Sequence, residues 1–221
     1  MFPFMFLGLG IGSWFENFLK QWDNENSSVM KNSFLIGNDG FNFIGEYEDF
    51  SPKAYLLPKE KLYTIGYGST RIYNSDGSSS RVVKYGETIT KVDAVFQLKM
   101  YYNRSGSVKN EIDNIIRKYG IILNQKFYDM LMQCSYASGS FHKKAGFVNI
   151  YVNMLKKANM SNDLNMLGDL ISGTWISYLK IYANYTINGL GWSRRAYGAK
   201  MYILGLNWSK LNSEMQIKKP Y

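Results

Sequence analysis

Apolar residues recur every three or four positions through most of the chain after residue 90, which is the period of an amphipathic helix. The stripes fall at 92–100, 108–119, 127–134, 148–155, 164–171, 175–182 and 193–204. Thr90 and Asp93 resemble a capping box at the start of the first helix, and Gly120 suits the end of the second. The pattern therefore predicts a region built from successive helices.

A different pattern precedes this region. Short runs rich in aromatic and β-branched residues alternate with turn residues, which is typical of strands and hairpins. The runs are Ala54–Leu57, Leu62–Tyr67 and Arg81–Val83. We predict a small antiparallel sheet of two or three strands, preceded by a helix that is capped by Asp39 and ends before Pro52. This order indicates an α+β fold, with a ligand cleft between a small β lobe and a larger helical lobe.

The first fifteen residues carry no charge, but a helix needs about 20 apolar residues to cross a bilayer. Three interpretations remain open for residues 1–15. The segment is membrane-active or docks on a partner, packs as an apolar tail, or acts as a non-cleaved export signal. We predict two units, namely an anchor or docking segment over 1–35 and the main domain over 36–221.

The net charge of the chain indicates which classes of binding partner to expect. The chain has 26 Lys and Arg against 17 Asp and Glu, a net charge of +9. This charge favours a polyanion, and nucleic acid, an anionic lipid surface and an acidic cell-wall polymer all qualify. Because the sequence has no block of five or more Lys or Arg, we do not expect nucleic acid.

Cysteine and histidine are too few for several kinds of chemistry. One cysteine, Cys134, excludes a disulfide framework, and one Cys with one His cannot supply the four ligands of a soft-ligand zinc site. We expect no metal and no cofactor. His142 is interpreted as a surface loop residue rather than a catalyst. An enzyme of this composition relies on carboxylates and hydroxyls.

The stretch from 48 to 70 carries such groups. Glu48 falls at a helix end, and Thr64 begins a strand that ends in Gly-Tyr-Gly. A carboxyl group against apolar side chains favours its protonated form, as a general acid requires. Glycoside hydrolysis pairs such an acid with a second carboxylate, and Glu60 is the nearest later one. Glu46 is a rival acid. Sugar-lining tyrosines are expected at Tyr55, Tyr63 and Tyr67.

These residues resemble the phage-type lysozymes, glycoside hydrolase family 24. The family signature reads E-G-x4-A-Y, a turn, then T-I-G-x-G-H, and this chain has E-D-F-S-P-K-A-Y, then T-I-G-Y-G-S. Glu48 matches the catalytic glutamate, because Tyr55 follows seven residues later, and Thr64 matches the active-site threonine. Three further pieces resemble the family in order, at 86–90, 125–139 and 189–205. The resemblance covers about 36–208 and implies a lysozyme-like α+β fold.

The chain departs from the family at several positions. Leu57 replaces an Asp or Cys, Ser69 replaces a His, and Ala137 replaces an Asn. The turn before Thr64 is one residue longer, as in related endolysins that read L-P-G-E-K-Y-Y-T, so Glu60 is a candidate for the missing aspartate. Arg194 and Arg195 match a terminal motif and are expected to form an ion pair, with one of them able to reach the cleft.

The resemblance implies a muramidase that cleaves peptidoglycan between N-acetylmuramic acid and N-acetylglucosamine with inversion. Glu48, Thr64 and Glu60 are its candidate catalytic residues, and Tyr55, Tyr67 and Ser69 its candidate substrate-binding residues. The alternative is a weakened or dead lysozyme-like protein of a virion or the wall. A phage-encoded protein is expected, acting from the host cytoplasm on the periplasm and cell wall or carried in the virion. Residues 1–15 are the expected contact to virion proteins or membrane.

Overall fold

The protein is described here by a computed structural model covering residues 35–58, 60–104, 107–138, 141–182 and 185–209, without the side chains of 185–193. Nearly all of the predicted N-terminal segment, including residues 1–15, lies outside this described part. Within the described ranges, no helix combines the length and the apolar character needed to cross a bilayer.

The described residues form seven helices and two small antiparallel sheets, so the predicted α+β class is confirmed. Helix α1 spans Asn38–Glu48. The strands are β1 Ser51–Tyr55, β2 Thr64–Gly66, β3 Arg71–Tyr73 and β4 Ser80–Val82. The later helices are α2 Lys91–Asn103, α3 Val108–Lys118, α4 Gln125–Ser138, α5 Val148–Ala158, α6 Leu164–Tyr182 and α7 Tyr185–Leu204.

The β region contains two hairpins rather than the single sheet expected. Strand β1 pairs with β2, with Tyr55 opposite Thr64, and β3 pairs with β4, with Ile72 opposite Arg81. Strand β3 was not predicted, although it has the same length as β2 and β4. Its hairpin nevertheless forms one side of the cavity described below.

Most helix boundaries follow the sequence signals. Thr90 caps α2 by accepting a hydrogen bond from the Asp93 amide at 3.1 Å, and the Asp93 carboxylate accepts from the Thr90 hydroxyl, so the cap forms but not the reciprocal backbone bond of a capping box. Gly120 has a φ of 62° just after α3, as a C-terminal glycine does. Two boundaries differ: residues 164–182 form one helix rather than two, and α7 begins at Tyr185 rather than near 193. Glycines at 189 and 191 obscured that helical pattern.

Helix α1 is held by aromatic packing along its buried face. Phe43 is fully buried and stacks on Tyr47 with centroids 4.5 Å apart. Trp208, which follows α7, packs on Phe43 at 5.3 Å, and its carbonyl accepts a hydrogen bond from the Tyr47 hydroxyl at 3.1 Å. These contacts fix the end of α1 that carries Glu48.

The other end of α1 is held by Asp129 of α4. The predicted cap Asp39 lies within the first turn, and Gly37 occupies the cap without a side-chain bond. Instead, Asp129 Oδ1 accepts from the Gly37 amide at 2.9 Å, and Oδ2 accepts from the Tyr202 hydroxyl at 2.6 Å. A Cβ at Gly40 would come within 2.8 Å of the Asp129 Cγ, so only glycine permits this close approach.

The expectation for His142 is wrong, because its side chain is 1% exposed. Its Nε2 bonds Glu111 at 2.5 Å, while the buried Nδ1 has no hydrogen-bond partner among the described residues. Burial lowers the pKa of His142 and outweighs the opposite effect of Glu111. A second ring proton would lie on an unpartnered buried nitrogen, so we assign a neutral ring that donates to Glu111. The residue is structural.

Candidate active site

The carboxylate of Glu48 lies at the last residue of α1, and its side chain is 19% exposed. Arg195 of α7 donates from Nη1 to Glu48 Oε1 at 2.5 Å and from Nη2 to the Tyr47 carbonyl at 2.6 Å. Carbonyls at a helix C-terminus carry partial negative charge, so the guanidinium offsets both the carboxylate and the helix end. The ion pair expected of Arg194 or Arg195 therefore forms within the site, where apolar surroundings were expected.

The backbone just after this glutamate is strained. Asp49 has φ 55° and ψ 142°, a combination that residues with a Cβ rarely adopt. It turns the chain from α1 directly into β1. The family signature has glycine at this position, whereas this chain has Asp, so the turn is made at a conformational cost.

Replacing Asp49 by glycine is expected to raise the free energy of unfolding by about 1 kcal/mol, since relief of strain exceeds the entropy that glycine adds to the unfolded chain. Asp49→Ala is the matched control, because it removes the same carboxylate but keeps the Cβ. Urea unfolding of the three proteins measures the difference. Equal stability of the Gly and Ala variants would contradict the assignment of strain.

Tyr55 and Thr64 come together at the first hairpin. Thr64 is 4% exposed and lies directly opposite Tyr55, and opposed residues of an antiparallel pair share one face. Burial raises the pKa of Tyr55, and the charges of Glu60 and Glu48 raise it further. Both carboxylates therefore act on the same tyrosine hydroxyl.

The turn between β1 and β2 brings Glu60 close to Leu57. The Glu60 amide donates to the Leu57 carbonyl at 3.1 Å, which closes a four-residue turn with Pro58 at its second position. Such a turn brings its first and last residues within about 7 Å of each other. Glu60 is exposed, and it lies beside Leu57, the position where the family has an acidic residue or Cys.

Tyr67 lies over the same face of α1 as Glu48. A Cβ on Gly45 would lie 3.3 Å from the Tyr67 ring, and Gly45 precedes Glu48 by three residues, so the two share a face. The Tyr136 hydroxyl donates to the Tyr67 carbonyl at 3.2 Å. Burial raises the pKa of Tyr136, and the charge of Glu48 adds to this effect. Glu46 is exposed and lies about 200° around the helix from Glu48.

A cavity of about 300 Å³ continues from Tyr67 and Tyr136 between the β region and α2. Ser69 also lines it, but its hydroxyl already donates to the Arg71 carbonyl. Of the expected substrate-binding residues, Tyr67 and Ser69 therefore line one cavity. Tyr55 does not line it and lies in β1 of the first hairpin. Tyr136 was missed in the sequence, since it reads as one more apolar position of α4.

The described residues contain no group of three or more His, Cys, Asp and Glu side chains arranged to hold a metal ion. The groups gathered at the end of α1 are carboxylates, tyrosines, a threonine and one arginine. Together with the α+β fold, a carboxylate at a helix end and a second one on the hairpin that follows define a candidate glycoside hydrolase.

Comparison with known proteins identifies the family. The profile described as Phage lysozyme matches residues 45–167, which is more than half of the chain. The chain belongs to the phage lysozyme family, so it has a lysozyme-like role directed at the peptidoglycan of the bacterial cell wall. The match includes Glu48, Glu60 and Thr64 and ends before Arg195.

The solved structures include a similar chain, the endolysin from Escherichia coli O157:H7 phage FAHEc1. It aligns with a TM-score of 0.47 and 17% sequence identity, over 77% of this chain and 94% of that chain. No curated protein matches the sequence.

Proposed function

We propose that the protein is a muramidase that hydrolyses the β-1,4 bond between N-acetylmuramic acid and N-acetylglucosamine. The observation that carries this proposal is the Glu48 carboxylate at the end of α1, directly before the hairpin in which Tyr55 lies opposite Thr64. Family membership supports peptidoglycan as the substrate. The glycan strand binds along the side of α1 that carries Glu48 and faces Tyr67.

In the proposed reaction, the Glu48 carboxyl group donates its proton to the glycosidic oxygen as the bond from that oxygen to C1 of the muramic residue breaks. Glu60 takes a proton from a water molecule, and the water oxygen forms the new bond to C1. Thr64 positions this water. The proton that Glu48 loses and the proton that Glu60 gains are exchanged with solvent, so the cycle balances.

Arg195 has a defined part in this scheme. It binds Oε1 of Glu48, so the proton that is transferred resides on Oε2. After transfer, Glu48 is a carboxylate at a helix C-terminus, and the guanidinium stabilises that charge. Arg195 is therefore a positioning residue that acts through Glu48.

A second candidate is a non-catalytic lysozyme-like protein that binds the wall or belongs to a virion. Two observations favour it: Leu57 occupies the family's acidic position, and the Glu48 side chain is held in an ion pair with Arg195. Under either proposal, residues 1–15 anchor the protein to a membrane or to virion proteins.

The products distinguish the two candidates. Purified peptidoglycan is incubated with the protein, the new reducing ends are reduced with borohydride, and the sugar alcohols are identified by mass spectrometry. A muramidase yields muramitol, whereas glucosaminitol would reveal cleavage of the other glycosidic bond. Binding of the protein to the wall without any new reducing end would overturn the muramidase proposal and support the second candidate.

A further inference from the structure

The cavity beside Tyr67 has an uncompensated positive lining. It lies between the segment 67–73 on one side and helices α2 and α4 on the other. Arg71 and Arg104 both line it, and its described lining contains no Asp or Glu. Neither guanidinium has a carboxylate partner among the described residues. The positive charge is thus directed towards a space large enough for a small ligand group.

Arg104 is held in place by aromatic rings. It follows α2, and its guanidinium lies 4.8 Å from the Tyr101 centroid and 5.7 Å from the Tyr73 centroid. The Gln97 side chain fixes Tyr73 by bonding both its amide and its carbonyl. Two rings therefore restrict the guanidinium before any ligand arrives.

The hydrogen bonding of Arg104 is incomplete. Its Nε is buried and has no hydrogen-bond partner in the described part of the chain. A buried donor without a partner costs free energy, and a planar guanidinium is suited to a carboxylate, which accepts two parallel hydrogen bonds. An anionic ligand would supply both the missing acceptor and the missing charge.

We propose that this cavity binds a carboxylate of the glycan substrate through Arg104, with Arg71 adding positive charge. The inference rests on the proposed function for the identity of the substrate. Peptidoglycan offers two sources of a carboxylate: the lactyl group of muramic acid where no peptide is attached, and the glutamate of the stem peptide where one is. Because Tyr67 borders the cavity and lies over α1 beside Glu48, a carboxylate held here places its sugar at the cleft.

The test compares acidic and neutral forms of the same ligand by NMR titration of the full-length protein. The first pair is N-acetylmuramic acid and its methyl ester. The second pair is N-acetylmuramoyl-L-alanyl-D-glutamic acid and its fully amidated form. We expect the acid of one pair to bind at least about tenfold more tightly than its neutral form, and that pair identifies the source of the carboxylate. If the acid and its neutral form bind with equal affinity in both pairs, the proposal is wrong. This result needs only the wild-type protein.

Arg104→Gln is expected to remove the preference for the acid. Arg117→Gln is the matched control, because Arg117 is exposed on α3 and bonds only Asn114 through its side chain in the described part of the chain. It is expected to keep the preference. A preference that survives in Arg104→Gln would show that another group binds the carboxylate.

The two proposals fail separately. If the protein prefers the acid but cleaves no glycan, the carboxylate site is supported and the muramidase proposal is wrong. If glycan is cleaved and neither acid is preferred, the muramidase stands and this inference is wrong.

Discussion

Replacing Glu48 by glutamine is expected to lower the rate of glycan cleavage by about a hundredfold to ten-thousandfold, which is the contribution of general acid catalysis by one group. Glutamine keeps the length of the side chain, and its oxygen still accepts the hydrogen bond from Arg195 Nη1. The amide has no proton to give to the leaving oxygen. The measurement is the initial rate of release of reducing ends from purified peptidoglycan.

Glu46→Gln is the matched control for this prediction. It makes the same chemical change two residues earlier on α1, at an exposed position on a different face of the helix. Its rate is expected to remain within about twofold of wild type, as for a surface substitution away from the reacting atoms. A Glu48→Gln enzyme that cleaves at the wild-type rate would remove Glu48 from the mechanism, and a large loss in Glu46→Gln would make Glu46 the acid.

The local parts of this site are predictable from the sequence because they lie close together in it. Glu48, Glu60 and Thr64 fall within one short stretch of sequence, and local pairing in the β1–β2 hairpin places Thr64 opposite Tyr55. The motif spacing therefore predicts the hairpin that carries them. The helix caps at Thr90 and Gly120 are predictable for the same reason, since each depends on a few adjacent residues.

The remaining parts depend on contacts between distant segments. Arg195 reaches Glu48 across 147 positions of sequence, and only the packing of α1 against α7 brings them together. The cavity around Arg104 likewise requires β3, which was not predicted from the sequence. His142 was misassigned because a lone histidine in a polar stretch gives no sign of the buried contact with Glu111.

Replacing Asp129 by alanine is expected to lower the free energy of unfolding by about 3 kcal/mol, because it leaves one buried donor and two part-buried donors without this acceptor. The carboxylate accepts from the Gly37 amide, the Tyr202 hydroxyl and the Gln125 side chain, the last at 2.8 Å. These bonds hold the start of α1, so the position of Glu48 depends on them. Urea unfolding measures the loss.

Asp169→Ala is the matched control. It removes an aspartate from an exposed pair with Lys200 on the helical surface, where such pairs contribute little. Its unfolding free energy is expected to stay within about 0.5 kcal/mol of wild type. If both variants lose the same amount, the buried bonds of Asp129 do not explain its effect.

Asp129→Asn removes the titration of this side chain while keeping one acceptor oxygen, so it isolates the part of the stability that depends on pH. Burial raises the pKa of Asp129, and this outweighs the opposite effect of its three donors. Because its pKa is higher in the folded state than in the unfolded state, the stabilisation is complete below about pH 3.9 and is lost as pH rises through the folded pKa. Asparagine does not titrate, so the stability of wild type relative to Asp129→Asn should decline with rising pH. An opposite trend would mean that the hydrogen bonds, and not burial, determine the direction in which the pKa of Asp129 shifts at the start of α1.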